Sequence, residues 1–517
     1  MKLVVNVGRM LSQPLSPKSR IRLMRYVACA LLALASTAPA VAQSRDSGAV
    51  APILSLQDAI SIARRNNPVF LQTRSARQRA GAALRTSYGV LLPDISTSFS
   101  NGYREGRPQF FGGQQFGSSS DVISSDASIN VRASFSGTNL LAPKLQRANL
   151  DAAESDLTSA DAVLRFAVTG QYLNVLAAQA RAQLNDTLLA SAQAQLELSR
   201  ARAAVGAATT LDVRRAEVQV GQAQVAVLRE RNNVETEKLR LFQQLGVEQP
   251  TNVRLSTELP VAEPTLNLQE LLTTARRQNP ALAAARSRES AAGVGVQQAR
   301  SLYLPTLSLN TGLSGYTSQE SDIESAISRQ RTSAARSLSS CLGTDTLRIR
   351  AGLPSISTSC ASNFTFTDAD AALMRRANAK YPFDFTRDPI TFQASLSIPI
   401  FNGFQREQRM QEAEATRNDA RYSVRAQELR ITAEVTSGYR NLMTAYQAVQ
   451  IQTQNSQAAR EALALAQERF RVGANTFVDL VQSRADFERA ESDRINAIYE
   501  FHRAYATLES AVGRTLR

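Results

Sequence analysis

The stretch VGAATTLD at residues 205–212 recurs as VGANTFVD at residues 472–479, 267 positions later. Both copies read Val-Gly-Ala-x-Thr-x-apolar-Asp. Glycine commonly ends a helix, threonine commonly caps the next one, and an acidic residue in the first turn suits the positive end of the helix dipole. The pattern therefore predicts two similar turns, each joining a helix to its return helix. The residues assigned to these tips, about 204–212 and about 471–479, are Gly206, Thr209, Asp212, Gly473 and Thr476.

The turns belong to a larger internal repeat. LSLQDAISIARRNNP at 54–68 matches LNLQELLTTARRQNP at 266–280, at an offset of 212. The offset changes to 267 beyond Pro305, so the second copy carries about 55 additional residues. Such self-similarity predicts two tandem structural repeats. Their expected bounds are 54–246 and 266–513, with a linker at 247–265 and a short tail at 514–517.

Each half contains segments in which apolar and small polar residues alternate. The alternation predicts strands at about 94–104 and 128–138, and at about 306–316 and 390–400. One apolar and one polar face suit a strand that separates lipid from a watery lumen. A half-buried sheet in a soluble protein would have the same local pattern. The residues between the last two strands, about 318–389, are expected to form an extracellular loop.

Long helical stretches follow the strands in each half, at about 143–205 and 404–472. Sixty-three residues of helix span roughly 95 Å, and the return helices of about 40 residues span roughly 60 Å. A shorter helix of about 25 residues would add roughly 37 Å. These lengths predict a helical cylinder of uniform height, although the helices alone would also suit a coiled coil.

The N-terminus has the pattern of a secretory signal peptide. Basic residues precede an apolar run at 26–35, and Ala40-Val41-Ala42 forms a small-x-small cleavage site. We expect residues 1–42 to be a cleavable signal, with Met1 or Met24 as its start, and 43–53 to be an N-terminal segment. Cys29 lies before the cleavage site, so no lipid anchor is expected. No later apolar run approaches the roughly 20 residues of a membrane helix.

Composition limits the chemistry that the chain could perform. The chain has 517 residues, three cysteines, one histidine and a formal charge of +14. Cys341 and Cys360 are expected to form a disulfide in an oxidising compartment. His502 lies on a predicted helix without neighbouring metal ligands, so neither a metal nor a cofactor is expected. No nucleophile–base pair or phosphate loop indicates an enzyme, and no basic run interleaved with aromatic residues indicates nucleic-acid binding.

Four strands cannot close a barrel alone, and an open sheet edge is not tolerated in lipid. Three copies of the chain would supply twelve strands, enough for a barrel with an aqueous lumen. The sequence thus predicts a homotrimer that contacts membrane lipid. Aromatic residues near the strands could form an interfacial belt or pack the loops; they are Phe99, Tyr103, Phe110, Phe111, Phe364, Phe366, Phe383, Phe385 and Phe392.

Taken together, these motifs resemble the TolC family of outer-membrane channels used in drug efflux and type I secretion. The resemblance rests on the tandem halves, the two openings that end in Asn-Pro, IPIFNG at 398–403 and the two VGAxTxxD tips. It implies a mixed, mainly α-helical fold: a trimeric twelve-stranded β-barrel in the outer membrane, continued by a periplasmic α-helical barrel. It also implies two partners, a periplasmic adaptor protein and an inner-membrane transporter of the RND or ABC type.

The resemblance further implies roles for residues of the second tip. An inward aspartate of the family corresponds to Asp479, and a second one corresponds to Gln482, so the predicted pore constriction carries half the family's charge. The family latch joins a tyrosine to the aspartate of the first tip, here Asp212. The tyrosine position holds Phe470, and the arginine that completes the latch is replaced by Asn475. Arg471 is a candidate substitute.

Two alternatives to a channel follow from the same residues. An exported coiled-coil adaptor or stalk in the periplasm would share the long helices, but the predicted strands lie at the opposite end from the tips. An aspartate that only caps its helix would share the tip motif, in which case Asp479 would face outward. The exported substrate, whether small molecule or polypeptide, is not indicated by any motif.

Overall fold

The computed structural model describes residues 53–112, 114–118, 120–250, 253–256 and 260–516. The expected signal peptide at 1–42, Cys29 and all but the last residue of the segment 43–53 lie outside these residues. The described chain is mainly helical. Among the described residues, no helix is both long and apolar enough to cross a membrane.

The elements of the first half alternate between short helices, strands and two long helices. In chain order they are β1 (Ile53–Leu54), α1 (Leu56–Asn66), α2 (Pro68–Gly89), β2 (Asp94–Arg104), β3 (Pro108–Phe111), β4 (Gln114–Ser118), β5 (Val122–Phe135), α3 (Gly137–Ala204) and α4 (Thr210–Leu245).

The linker and the second half follow the same order of elements, with additional helices between two strands. They contain β6 (Arg254–Leu255), α5 (Leu268–Gln278), α6 (Pro280–Arg300), β7 (Thr306–Glu320), α7 (Ile323–Arg350), α8 (Ser357–Phe364), α9 (Asp368–Asn378), β8 (Thr386–Arg387), β9 (Thr391–Ser397), α10 (Gln405–Arg471) and α11 (Phe477–Val512).

The Asn-Pro motif of each half joins a helix junction to the end of the return helix. Asn67 caps α2, and its Nδ2 donates to the carbonyl of Gln244 at 2.8 Å. Asn279 caps α6, and its Nδ2 donates to the carbonyl of Ala511, also at 2.8 Å. The proline after each asparagine occupies the first helical position, where its missing N–H costs nothing. The motif therefore fixes where the short helix meets the hairpin.

Glycine is required where each return helix ends against this junction. Gly246 has φ +75°, and a Cβ there would lie 2.4 Å from the carbonyl oxygen of Asn66. Gly513 has φ +88°, and its Cβ would lie 2.8 Å from the carbonyl oxygen of Gln278. Only glycine combines the left-handed conformation with so close an approach. This contact explains why both halves end in an apolar residue followed by glycine.

The long helices α3 and α10 have 68 and 67 residues, which corresponds to about 100 Å each. Helices α2 and α4 both pack against α3, and their 22 and 36 residues together span about 87 Å. Helix α3 begins at Gly137, before Pro143, where the sequence placed its start. Ser136 caps this end by accepting from the N–H of Asn139 at 3.1 Å. With the first turn capped, the helix tolerates the one hydrogen bond that Pro143 removes.

Two apolar cores lie near the Asn-Pro junctions. In the first, α1, α3 and α4 contribute Ala63, Val168 and Leu241. In the second, α5, α10 and α11 contribute Ala275, Val435 and Leu508. The cores therefore sit where the short helices meet the long hairpins, at corresponding places in the two halves.

Within the described residues, five strands form one antiparallel sheet in the order β2-β5-β7-β8, with β9 pairing with β7. Strand β5 begins at Val122, earlier than the expected 128, because it pairs with β7 as far as Glu320. It ends at Phe135 because Ser136 already caps α3. Strand β7 is longer than expected and β9 shorter, since β9 ends at Ser397 opposite Thr306, the first residue of β7.

The sheet has one polar and one apolar face. On the polar face the hydroxyl oxygens of Ser98 and Ser128 lie 2.8 Å apart, and Nε of Arg132 donates to Oδ1 of Asn310 at 3.1 Å. The apolar residues of β2 and β9 alternate with this face and are solvent-exposed in the single chain. Ile95 is 72% exposed, Phe99 57% and Phe392 71%.

The residues expected to form a loop at about 318–389 contain three helices, α7 to α9, which we call the helical lobe (residues 323–378). A disulfide joins Cys341 of α7 to Cys360 of α8. An ion pair between Arg375 and Glu324, at 2.7 Å, joins α9 to α7. Asp322 caps α7, and the stretch that follows has no proline to stop the helix. These signals make the lobe helical where an irregular connection was expected.

Candidate functional site at the hairpin tips

Each long helix and its return helix form a hairpin: hairpin 1 is α3 with α4, and hairpin 2 is α10 with α11. Both hairpins turn in the same way. Gly206 and Gly473 have φ +77° and +83°. The N–H of Ala207 donates to the carbonyl of Arg202, and the N–H of Ala474 to that of Arg469, each at 2.8 Å. This is a Schellman ending, which satisfies carbonyls that a helix terminus otherwise leaves free.

A capping box begins each return helix. The N–H of Thr209 donates to Oδ2 of Asp212 at 3.0 Å, and the N–H of Asp212 donates back to Oγ1 of Thr209 at 3.2 Å. In hairpin 2 the N–H of Thr476 donates to Oδ2 of Asp479 at 3.1 Å, and the return bond is 3.2 Å. Such reciprocal bonds satisfy two free donors of the helix start. Both aspartates therefore have a structural role in their turns.

The same bonds keep both carboxylates ionised. The Thr476 hydroxyl and then its N–H lower the pKa of Asp479 below its ordinary value. The Thr209 hydroxyl and N–H do the same for the pKa of Asp212, with smaller contributions from Arg215 and Arg202. A hydrogen bond donated to the ionised form favours that form. Two negatively charged groups thus remain at the tips at neutral pH.

An apolar cluster, which we call the tip cluster, lies between the two hairpins. Both long helices and both return helices contribute to it, so it joins hairpin 1 to hairpin 2. Its best-buried aromatic pair is Phe470 and Phe477, whose ring centroids lie 6.0 Å apart. Its buried members are Leu196, Ala216, Leu463, Ala466, Phe470, Phe477 and Leu480.

Arg202, in the last turn of α3, reaches across from hairpin 1 to hairpin 2. Its Nη1 donates to the carbonyl of Phe470, and its Cζ lies 4.7 Å from the centroid of the Phe470 ring. Its Nη2 donates to the carbonyl of Ala207 at 3.3 Å, within the turn of hairpin 1. A Cβ on Gly473 would lie 3.6 Å from the same Nη2. One guanidinium group therefore contacts both turns.

A second arginine joins the hairpins further from the turns. Nη2 of Arg484, on α11, donates to the carbonyl of Leu188 on α3 at 2.5 Å. Burial lowers the pKa of this guanidinium group, and the charge of Glu488 opposes that shift. The contact places a partly buried cation between the two hairpins.

The structure places Asp212 at the turn of hairpin 1 and the other residues of the predicted constriction and latch at or beside the turn of hairpin 2. Phe470 is 5% exposed in the tip cluster and Asn475 lies in the turn itself. Arg471 pairs with Glu468 of its own helix, with Nε 2.9 Å from Oε2. It does not bridge to Asp212, whose carboxylate is bound to Thr209.

Gln482 lies one turn beyond Asp479 on α11, and its amide donates to Oδ1 of Asp486 at 3.0 Å. Asp479 itself is exposed in the single chain. The two side chains therefore lie one turn apart near the start of the same return helix.

Sequence reasoning missed Arg202 and Arg484. Arginines on long polar helices are usually solvated, so their type alone gives no signal. A comparison of the repeats does give one: at the offset of 267, Phe470 corresponds to Ala203 and Arg484 to Glu217. The two hairpins thus differ at positions where they touch each other.

The described residues contain no group of three or more His, Cys, Asp or Glu side chains that could hold a metal ion. His502 is buried on α11, with its ring centroid 5.2 Å from that of Phe501.

Comparisons with known proteins agree on the type of molecule. Outer membrane protein TolC of Vibrio cholerae serotype O1 is 23% identical over 464 residues, covering 87% of this chain and 89% of that protein. The crystal structure of CusC has a TM-score of 0.65 at 16% identity, covering 89% of this chain and 92% of CusC. The Campylobacter jejuni CmeC outer membrane channel has a TM-score of 0.65 at 14% identity, covering 89% and 85%.

A family model described as outer membrane efflux protein matches residues 59–247 and 351–514, well over half of the chain. This match covers both hairpins and both turns. It confirms the family that the repeated motifs predict, a family of outer-membrane efflux channels. The chain belongs to the outer membrane efflux protein family, the TolC-like channels.

Proposed function

We propose that three copies of the chain form a channel-tunnel that serves as the exit duct of a tripartite efflux pump or a type I secretion system. The strands close into a twelve-stranded β-barrel in the outer membrane, and the hairpins form an α-helical barrel in the periplasm. The chain is exported by a cleavable signal peptide and carries no lipid anchor. The duct exports small molecules or polypeptides.

The main support for this proposal is that the sheet has one polar and one apolar face. Its polar face bears Ser98, Ser128, Arg132 and Asn310, which suits a water-filled lumen. Its apolar face exposes large side chains such as Ile95 that a single soluble chain would bury. Strands β2, β5 and β7 have 11, 14 and 15 residues, enough to cross a bilayer at a tilt.

The sheet edges support assembly from several copies. Strand β2 stands at one edge of the described sheet, and β9 with the two-residue β8 stands at the other, so the outer backbone groups of β2 and β9 can pair with another chain. In lipid such groups must be paired. Closure through β2 and β9 of neighbouring copies satisfies them, and three copies give a barrel of ordinary size.

The lengths of the helices in the hairpins support the proposal of a helical tunnel. Each long helix of about 100 Å packs along most of its length against a helix of 22 or 21 residues, α2 or α6, and a return helix of 36 residues, which suits a continuous wall. The tips then form the periplasmic mouth, where copies of Asp479 make a negatively charged constriction and Gln482 lies behind it. Negative rings of this kind favour cations.

The partners follow from the family. Channels of this family work with efflux pump partners. For this chain we propose a periplasmic adaptor that contacts the tips and an inner-membrane transporter of the RND or ABC type behind it. No partner is proposed among nucleic acids.

Two measurements on the protein purified from outer membranes test the proposal. Native mass spectrometry in detergent is expected to give three copies, and planar bilayers are expected to show small, steady, cation-selective openings. Large openings with weak selectivity would retain the channel but argue against a constriction at the tips. A folded monomer without channel activity would contradict the proposal and favour a periplasmic stalk.

A further inference from the structure

We propose that Arg202, together with the tip cluster, holds the two hairpin tips of one chain together, so that its bond to Phe470 must break before the tips can separate. The inference rests on the proposal above that the tips form the mouth of a tunnel. It assigns the closing contact to a residue outside the set that the sequence predicted.

The guanidinium group of Arg202 lies where two helices end. Arg202 lies in the last turn of α3, and Phe470 is the penultimate residue of α10. The last carbonyls of a helix lack partners within it and carry partial negative charge. Arg202 donates to the carbonyl of Phe470, in the last turn of α10, which also accepts from the N–H of Gly473 at 3.1 Å, and to that of Ala207, just past the end of α3. A planar group with several donors can serve both acceptors at once, which a lysine cannot do as well.

The ring of Phe470 lies beneath the guanidinium group of Arg202. Cζ of Arg202 lies 4.7 Å from the centroid of Phe470, within the range of a cation–π contact. The ring is almost fully buried in the tip cluster, where it also contacts Phe477. A ring fixed in this way holds the cation against hairpin 2. Moving hairpin 2 away would break both the carbonyl bond and the ring contact.

The neighbouring charged groups form their bonds within their own hairpins. Arg471 bonds to Glu468 within hairpin 2, and Asp212 bonds to Thr209 within hairpin 1. Both groups therefore stabilise their own hairpin and do not join the turns. Arg202 contacts the two turns simultaneously, because its Nη2 also lies against Gly473.

The contact can form only once in each chain. At the repeat offset, Arg202 corresponds to Arg469 but Phe470 corresponds to Ala203, which has no ring. The arrangement therefore joins hairpin 1 to hairpin 2 of one chain by a contact that the repeat does not reproduce. We expect the pair to control opening between these two hairpins.

The test compares Arg202→Gln with Arg200→Gln in the full-length purified protein. Arg200 lies on the same helix, but its ion pairs with Glu197 and Glu217, at 3.0 and 3.3 Å, stay within hairpin 1. In planar bilayers, Arg202→Gln is expected to raise the open probability about tenfold, equivalent to about 1.4 kcal/mol lost from the closed state. Arg200→Gln is expected to match the wild type.

Two further variants separate the two parts of the contact. Arg202→Lys keeps a charge near the ring but loses the second donor, and Phe470→Leu keeps the carbonyl but loses the ring. Each is expected to give a smaller increase than Arg202→Gln. Adding Phe470→Leu to Arg202→Gln is expected to raise the open probability by a smaller factor than it does in the wild type, because part of its effect acts through Arg202. These variants also keep the test decisive if Arg202→Gln does not assemble.

A second readout does not depend on conduction. Amide hydrogen exchange at residues 471–476, in the hairpin that carries no substitution, is expected to be faster in Arg202→Gln than in Arg200→Gln. Equal open probability and equal exchange in these two variants would overturn the inference. Loss of channels in the wild type would overturn the channel proposal instead, while the exchange rates would still decide whether Arg202 joins the tips.

Discussion

The tip aspartates combine a structural and an electrostatic role at the level of single residues. Asp479 accepts from both the N–H and the hydroxyl of Thr476 through one oxygen, Oδ2, at 3.1 and 2.7 Å. Its charge therefore stabilises the start of α11 and, in the proposed channel, remains available to ions near the mouth. A substitution that removes only the charge can separate the two roles.

We predict that Asp479→Asn lowers cation selectivity while the turn stays folded. The asparagine side-chain oxygen still accepts from the Thr476 N–H, since asparagine suits this kind of local bond, but the negative charge is lost. Reversal potentials in a salt gradient and block by trivalent cations measure the effect. The control is Asp493→Asn, an exposed aspartate on the same helix about 21 Å further along. Unchanged selectivity and unchanged block would mean that Asp479 faces outward and only caps its helix.

The pH dependence of selectivity follows from the pKa of Asp479. The Thr476 bonds lower this pKa, so the group stays charged as the pH falls to the ordinary aspartate value of about 3.9. The cap contributes fully above the unfolded pKa and is lost as the pH falls through the lower folded one. We expect the cation preference to persist at pH 5 and to disappear only below about pH 4. Disappearance between pH 5 and 6 would indicate that repulsion among neighbouring copies raises the pKa more than the cap lowers it.

The contact between each Asn-Pro junction and the end of its return helix is the feature that most constrains the elements. In the first half Asn67 bonds to Gln244, and Gly246 allows the backbones to touch. Since α2 and α4 meet α3 at this point, the junction sets the lengths over which each packs. A side chain at the glycine would push the return helix away.

We predict that Gly246→Ala destabilises the protein by about 2–4 kcal/mol, through the strain of a positive φ and the clash with Asn66. Loss of the helical circular dichroism signal on heating measures the change. Gly221→Ala is the matched control, because it lies within the same helix with no atom within 4 Å of the added Cβ. That variant is expected to gain up to about 1 kcal/mol from helix propensity. Equal melting of both variants would contradict the tight junction.

Some of these elements can be predicted from the sequence alone, and others cannot. Alternating residues predicted the strands from local sequence, and comparison of the two halves predicted the hairpins. The early start of β5 at Val122 was missed because polar Ser124, Ser125 and Asp126 hide the alternation, and only pairing with β7 extends the strand. Contacts such as that of Arg202 with Phe470 lie 268 residues apart in sequence and leave no local signal.

The whole chain was assigned to its family from the combination of motifs and not from any single one. The family match at 59–247 and 351–514 omits the elements from α5 to α7, of which the internal repeat identifies α5 and the start of α6 independently through LNLQELLTTARRQNP. The helical lobe escaped prediction because nothing in the first half corresponds to it. Comparing the halves therefore predicted the shared framework and left the inserted part as a loop.

The helical lobe has the contacts of a unit added to the sheet. Its own disulfide and the pair of Arg375 with Glu324 hold its helices together. Asn378 fastens it to the end of β7 by bonds to the N–H and carbonyl of Glu320, at 2.7 and 3.1 Å. The sheet register lies almost wholly outside the lobe. We therefore expect the lobe to decorate the outer mouth and not to form the channel wall.

Residues 325–380 can be deleted and replaced by a short Gly-Ser linker to test this role of the lobe. The deletion keeps Phe383 and Phe385, which pack on Phe99 with centroids 6.3 and 6.2 Å away, so the sheet retains its aromatic contacts. We expect the shortened chain to assemble and its single-channel conductance to be preserved or raised, because the lobe can only narrow the mouth. Cys341→Ala with Cys360→Ala, which loosens the lobe without removing it, is the control and is expected to conduct like the wild type. An assembled deletion variant without conductance would mean that the lobe helps to form the channel itself.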